Sequence, residues 1–383
     1  MSRVMTQEER FRRMVETPVS KLIPSLAVPT IISMLITSIY NMADTYFVSQ
    51  INTSASAAVG VSYSLMSMIQ ASGFTLGMGG GNYLSRVLGT QDTKKAEQIA
   101  STAFYTSMAV GAVLAVLGLL FLDPLVRILG ATDTIAPYAK DYAKYILMAA
   151  PIMTGALSMN NLLRFQGLAV YAMVGITLGG VLNMVLDPIL IFGFDMGIAG
   201  AAIATALSQL ISFLVLFLQS NLRSDCVHLN PKKIVFRGWM YGEILHGGIP
   251  SLCRQGVASI ATASLNLAAN PFGDAAIAAM SIVSRYMMFI NSALIGFGQG
   301  FQPVCGFNFG AKRYDRVLES FWFCVKVAVV LLTTLAVISF FGAGTIMAQF
   351  RKDDPAVIEI GTWAMRFQCL TLPFQSWIIM SNM

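Results

Sequence analysis

Ten apolar runs, each about 20 residues or longer, follow one another along this 383-residue chain, at 22–49, 57–84, 99–122, 138–157, 168–192, 199–218, 249–267, 275–301, 321–341 and 356–383. About 20 residues is the length at which a helix crosses the hydrocarbon core of a bilayer. Lipid offers no water to pair with backbone N–H and C=O groups, so a spanning segment satisfies them within a helix or in a closed barrel. Barrel strands take only about 10 residues. An all-α polytopic membrane protein of about ten helices is therefore expected. Composition agrees, because 56% of residues are hydrophobic and only 11% are charged, where a soluble domain carries about 25%.

The basic stretch Arg3, Arg10, Arg12 and Arg13 precedes the first run. That run is too long for a signal-peptide core and no small-residue cleavage site follows it, so it reads as a retained helix. Arg86, Lys94, Lys95, Arg164, Arg223, Lys232, Lys233, Arg237, Lys312, Arg313 and Arg316 fall in segments on the N-terminal side of the membrane. Only Arg127, Lys140, Lys144, Arg351 and Lys352 fall on the other. The bias predicts a cytoplasmic N-terminus. It also accounts for the net charge of +6 through anionic lipid headgroups, with no nucleic-acid partner. Cys226, Cys253, Cys305, Cys324 and Cys369 form no CxxC pair, and His228 and His246 sit in or beside the central polar stretch. Neither a disulfide framework nor a metal site is expected. Enzymatic signatures such as HExxH, GxSxG or a P-loop are absent, so no catalytic residues and no cofactor are assigned.

The chain also repeats itself. Ile23-Pro24-Ser25-Leu26 returns as Ile249-Pro250-Ser251-Leu252. Gly77-x-Gly79 with Gly89, followed by Lys94-Lys95, returns as Gly298-x-Gly300 with Gly310, followed by Arg313 and Arg316. Repeats offset by an even number of helices are parallel, related by an axis along the membrane normal, an arrangement transporters use. The expected organisation is a cytoplasmic segment 1–21, a six-helix first lobe 22–218, a linker 219–245 and a second lobe 246–383. The second lobe reads as truncated to about four helices, and the sequence as a C-terminally incomplete fragment.

Ionisable residues within membrane helices are costly and mark ion or proton pathways. Two stand out in the first lobe: Asp44, four positions after Tyr40, and Asp187, four positions after Asn183 and just before Pro188. That spacing places each acid and its polar neighbour on one helical face. Asn160, Asn161 and Thr205 are candidates to complete a hydrogen-bonded pocket. Both acids also fit interfacial positions or helix-end caps. Arg285, in Ser284-Arg285-Tyr286, reads as snorkelling or pairing with helix-end carbonyls. The 23 methionines read as packing or lipid contact rather than a binding surface.

Tyr40-x-x-x-Asp44, Arg164-Phe165-Gln166-Gly167, Asn183-x-x-x-Asp187-Pro188, Gly197-Ile198-Ala199-Gly200-Ala201-Ala202 and Gly298-Gln299-Gly300-Phe301-Gln302-Pro303 with Asn308-Phe309-Gly310-Ala311 lie in this order along essentially the whole chain. Together with the double repeat they resemble the multidrug and toxic-compound extrusion (MATE) transporters, in particular a bacterial branch of drug exporters. The resemblance implies an antiporter of the bacterial inner membrane, two lobes around a central cavity, expelling small lipophilic and often cationic compounds as protons or sodium ions enter. It places ion coupling at Tyr40, Asp44, Asn160, Asn183, Asp187 and Thr205, with sodium, if used, at Asp44 and Asp187. It matches Pro29 to a bend in the first helix and leaves substrate-contact residues unassigned. A cavity enclosed by one chain makes a monomer the expectation. Two rivals remain open: a lipid-linked oligosaccharide flippase of the same superfamily, which needs a cavity rich in arginine and lysine, and a non-transporting truncated fragment.

Overall fold

Long apolar sequence with few internal breakers folds as helix wherever the backbone must pair with itself, and among the described residues all regular structure is helical. The computed structural model describes residues 6–223, 226–269, 274–350 and 355–383. Arg3, Arg351 and Lys352, which entered the charge pattern, lie outside them. The helices are α1 (Gln7–Glu16), α2 (Val19–Ser49), α3 (Thr53–Gly89), α4 (Thr93–Leu120), α5 (Leu122–Ile128), α6 (Ala136–Phe165), α7 (Ala169–Pro188), α8 (Gly197–Leu222), α9 (Gly238–Ala269), α10 (Asp274–Gly310), α11 (Tyr314–Phe350) and α12 (Pro355–Ser381). A π-helical turn, Ile189–Gly193, continues α7.

Polar side chains set several of the starts. Thr6 and Glu9 form a reciprocal capping box on α1, the Asn52 side chain accepts from Ala55 N at 2.7 Å, and Asp92 accepts from Lys95 N at 3.0 Å. Each occupies a backbone N–H that a helix start leaves unpaired. The sequence leads one to expect about ten helices. The described residues form twelve, because α1 and α5, of 10 and 7 residues, add to the long ones. Both additions precede the linker; after it the described residues form the four long helices α9 to α12. Among the described residues, seven stretches are long and apolar enough to cross a membrane: Val19–Ser49, Thr93–Leu120, Ala136–Phe165, Ala169–Gly193, Gly197–Leu222, Ala279–Gly310 and Tyr314–Gln349.

In the half before the linker, α6 is the hub. It packs on α3, α4, α7 and α8 and buries Tyr142, Ile146, Leu147, Met153 and Met159 completely or nearly so. After the linker, α12 packs on α11 and α10. The halves meet where α10 lies on α2 and α3, and where α9 lies on α3. The repeated glycines form this seam. A Cβ on Gly89 would come 2.9 Å from Gly310 Cα, and one on Gly300 would come 2.6 Å from the Ala27 backbone. Gly89 and Gly310 are repeat counterparts, so the two copies touch through equivalent positions. Both contacts lie toward the end of the bundle that carries the linker.

That end is also laced by polar contacts. Residues between α8 and α9 run along α4, with Asn230 N on Ser101 Oγ at 3.0 Å and Val235 N on Thr102 Oγ1 at 3.1 Å. The linker expected at 219–245 therefore overlaps the end of α8 and the start of α9, and His246 lies within α9, exposed. Arg313 and Arg316, read from sequence as cytoplasmic-side cations, donate to carbonyls at the open end of α1, Arg313 to Val15 O at 3.2 Å and Arg316 to Thr17 O at 2.5 Å. Asn308 does the same for Met14 O at 3.1 Å. Basic and amide donors suit a helix C-terminus, whose last carbonyls lack intrahelical partners.

Candidate functional site

Asp187 stands at the last turn of α7, fully buried. Pro188 beside it has no N–H, so the ladder loosens there and a π-turn follows. The i,i+4 spacing read from sequence holds. Asn183 Nδ2 donates to Asp187 Oδ1 at 3.2 Å and also reaches Thr205 Oγ1 of α8 at 3.3 Å. Asp44 enters from α2, with its carboxyl within hydrogen-bonding reach of the Asp187 carboxyl. The Tyr40 ring, one turn earlier, packs against Gly180 of α7, where a Cβ would come 3.1 Å from Cδ1. A side chain at position 180 would displace it.

Three buried oxygens in this cluster have no donor: Asp44 Oδ1, Asp187 Oδ2 and Asn183 Oδ1. Buried acceptors without donors are costly. A convergent set of them is chemically competent to take up protons or to ligate a small hard cation. Among the described residues no group of three or more His, Cys, Asp or Glu side chains converges, so any cation held here draws on amide and hydroxyl oxygens as well.

Beside the acids lies a cavity of about 100 Å³ whose wall includes Tyr40, Asn41, Gln70, Asn160, Asn183 and Thr205. The two carboxyls are not on that wall. They sit behind Tyr40, Asn183 and Thr205, which belong to both the cavity and the acid cluster. Asn160 is brought to the cavity, yet its Nδ2 donates to Ala172 O at 3.0 Å and so braces α6 on α7 rather than reaching the acids. Asn161 does not join the pocket either. It lies buried under the Arg164 guanidinium, with Nδ2 on Leu157 O at 2.7 Å.

Sequence reading missed Tyr142. It is fully buried on α6, and its hydroxyl lies beside Thr205 and donates to Met66 Sδ at 3.6 Å. Nothing in the string Lys140-Asp141-Tyr142 separates it from an interfacial tyrosine. Gln70 and Asn41 were also missed, although an amide inside an apolar run is itself a signal, since lipid gives it no partner. Pro29 is buried within α2, where Ser33 Oγ donates to its carbonyl at 2.9 Å and Thr30 Oγ1 reaches both Ala27 O at 2.8 Å and Gly296 O of α10 at 2.6 Å.

Known proteins share this architecture. The MatE family model matches residues 29–189 and 250–383. The multidrug export protein MepA of Staphylococcus aureus (strain N315) is 27% identical over 369 residues, spanning 96% of this chain and 81% of that protein. A solved structure described as the outward-facing conformation of a multidrug resistance MATE family transporter of the MOP superfamily superposes with a TM-score of 0.91 at 25% identity, over 99% of this chain and 84% of the other. A MATE crystal structure in a bent conformation gives 0.90 at 25% identity, over 99% and 83%. With paired acids in a helical first half, a glycine seam between repeats and a family model covering most of its length, this multi-pass membrane protein belongs to the MATE family, whose members are multidrug transporters and not enzymes.

Proposed function

We propose that the protein is a cation-coupled antiporter that exports lipophilic, often cationic organic compounds by alternating access between its two halves. The observation that carries the reading is the pairing of Asp44 with the buried Asp187, which accepts from Asn183, itself bonded to Thr205. Two carboxyls in mutual contact repel unless a proton lies between them, so the pair has two states that differ by one charge. The singly protonated state, of charge −1, closes the contact. The doubly ionised state loosens it and puts a second negative charge behind a cavity walled by amides and Tyr40, which favours an organic cation. Proton entry from one side and substrate release to the same side follow from that opposition.

Coupling is assigned to Asp44 and Asp187, with Tyr40, Asn183 and Thr205 as the surrounding network and Asn160 on the shared cavity wall. Sodium is the second reading, supported by the three donorless oxygens. The two repeats act as lobes, and the lysine and arginine bias supports a cytoplasmic N-terminus in a bacterial inner membrane. A monomer suffices, since the site is built within one chain. The test is efflux of a fluorescent organic cation from vesicles holding the protein, with pH and sodium gradients imposed separately. Gradient-driven movement by one ion names the coupling ion. Asp44→Asn and Asp187→Asn are each expected to reduce that movement at least about tenfold. Undiminished efflux in both would remove the pair from the mechanism.

A further inference from the structure

Helix α1 is held by both halves at once. Thr17 takes the extended conformation that a following proline favours, at φ −63° and ψ 135°, so α1 stops there and does not run on into α2. Its side chains stay with the first half. Arg10 Nη1 donates to Gln166 O at 3.4 Å, Arg13 Nη2 donates to Ser25 Oγ at 3.0 Å, and Met14 packs on Gly167, where a Cβ would come 3.2 Å from Sδ. Its last carbonyls go to the other half. Asn308 Nδ2, Arg313 Nη1 and Arg316 Nη2 donate to Met14 O, Val15 O and Thr17 O. Arg316 Nε also donates to Asn308 Oδ1 at 3.2 Å, which joins these donors into one unit.

A helix of 10 residues is shorter than the roughly 12–15 that hold a helix together alone in water, so α1 owes its order to this docking. Met14 and Val15 are buried in it, and Asn308 is fully buried beneath it. The other fastenings between the halves at the linker end are weaker in kind. The glycine contacts of Gly89 with Gly310 are close packing without a directional bond, and the ion pair of Arg86 with Glu243, at 3.3 Å, is open to water. By the register that pairs Gly89 with Gly310, the repeat counterpart of Asn308 is Val87, which has no side-chain donor. The device therefore belongs to one side only. Because α1 is joined to α2 through Thr17-Pro18 alone, it cannot stay with the second half when α10 moves away from α2.

We infer that α1 is a clasp that keeps the linker end of the molecule shut, and that the halves part there only after Asn308, Arg313 and Arg316 release its carbonyls. On release α1 travels with the first half, which retains the contacts of Arg10, Arg13 and Met14. Arg313 is exposed and Arg316 half-buried, so the freed guanidiniums and carbonyls meet water at the end of the bundle and no charge is stranded in lipid. Donors that are charged make the docked state the favoured one at rest. The inference rests on the alternating-access reading above and adds what holds one of its two ends.

The test uses the full chain in lipid nanodiscs, with the five native cysteines replaced and spin labels placed on exposed residues, Lys94 with Glu319 across the linker end and Thr134 with Glu359 across the opposite end. Pulsed electron paramagnetic resonance reads both distances. In the double variant Arg313→Gln, Arg316→Gln the population with a longer linker-end distance is expected to rise about tenfold, and the opposite pair to shorten in the same fraction of molecules. Arg13→Gln breaks a bond that lies within the first half and survives opening, so it is expected to leave both populations unchanged. Wild-type distances in the double variant, an equal shift in Arg13→Gln, or lengthening of both pairs together, which marks a loosened bundle, overturns the clasp and leaves the export reading intact. Distances that answer neither pH, sodium nor an added organic cation in any of these proteins overturn alternating access and the clasp together.

Discussion

At the residue scale, the acid pair depends on groups that carry no charge. Asn183 ties Asp187 to Thr205, and Tyr142 meets the same Thr205 hydroxyl from α6, so α6, α7 and α8 converge on one oxygen. Tyr142→Phe keeps the packing and removes only the hydroxyl. It is expected to slow gradient-driven efflux severalfold while lowering stability by no more than about 1 kcal/mol, the net worth of one hydrogen bond. Efflux and thermal unfolding measured on the same preparation check this, and a large fall in melting temperature would assign Tyr142 to structure instead. Asp44, Asn183, Asp187 and Thr205 were legible in the sequence because polar residues within apolar runs have few explanations and because i,i+4 spacing fixes a shared face. Tyr142 was not, because a tyrosine is at home at a membrane interface and only the packing of α6 inside the bundle buries it.

At the scale of elements, α2 carries both the site and the seam. Pro29 leaves one carbonyl of the preceding turn without its usual donor, and the Ser33 and Thr30 hydroxyls cluster on the carbonyls around it. Such hydroxyl bonds let a helix adjust its axis at low cost. Thr30 also bonds Gly296 O across the seam, so a change in α2 is felt by α10. The glycines allow that proximity. Gly310→Val places a branched side chain against the Arg86 and Gly89 backbone, where neither helix can yield without separating. It is expected to destabilise the linker-end contact by about 1–3 kcal/mol, measurable as a lower melting temperature. An unchanged melting temperature would mean that the halves do not press together at Gly310.

At the scale of the molecule, the proposed alternating access requires the α2–α10 contact to open and close. Ser38 and Ser292 hydroxyls stand 2.7 Å apart. Cysteines at both positions, in a background with the five native cysteines replaced, are expected to cross-link on oxidation and to stop transport until a reductant is added. Full transport through an intact cross-link would show that α2 and α10 move as one body and that the halves part elsewhere.

By itself the sequence determined the class of structure and much of the site's membership. Lipid forbids unpaired backbone, so apolar runs of this length become helices wherever they fall, and acids inside them need company. The repeat, read as two halves, was likewise visible as text. Tertiary packing decided what these parts do to one another. It brought Asp44 of α2 to Asp187 of α7, turned Asn160 away to Ala172, set repeated glycines face to face, and used Arg313 and Arg316 to cap α1. Local spacing fixes which residues share a helical face; only the contacts between helices fix what that face meets.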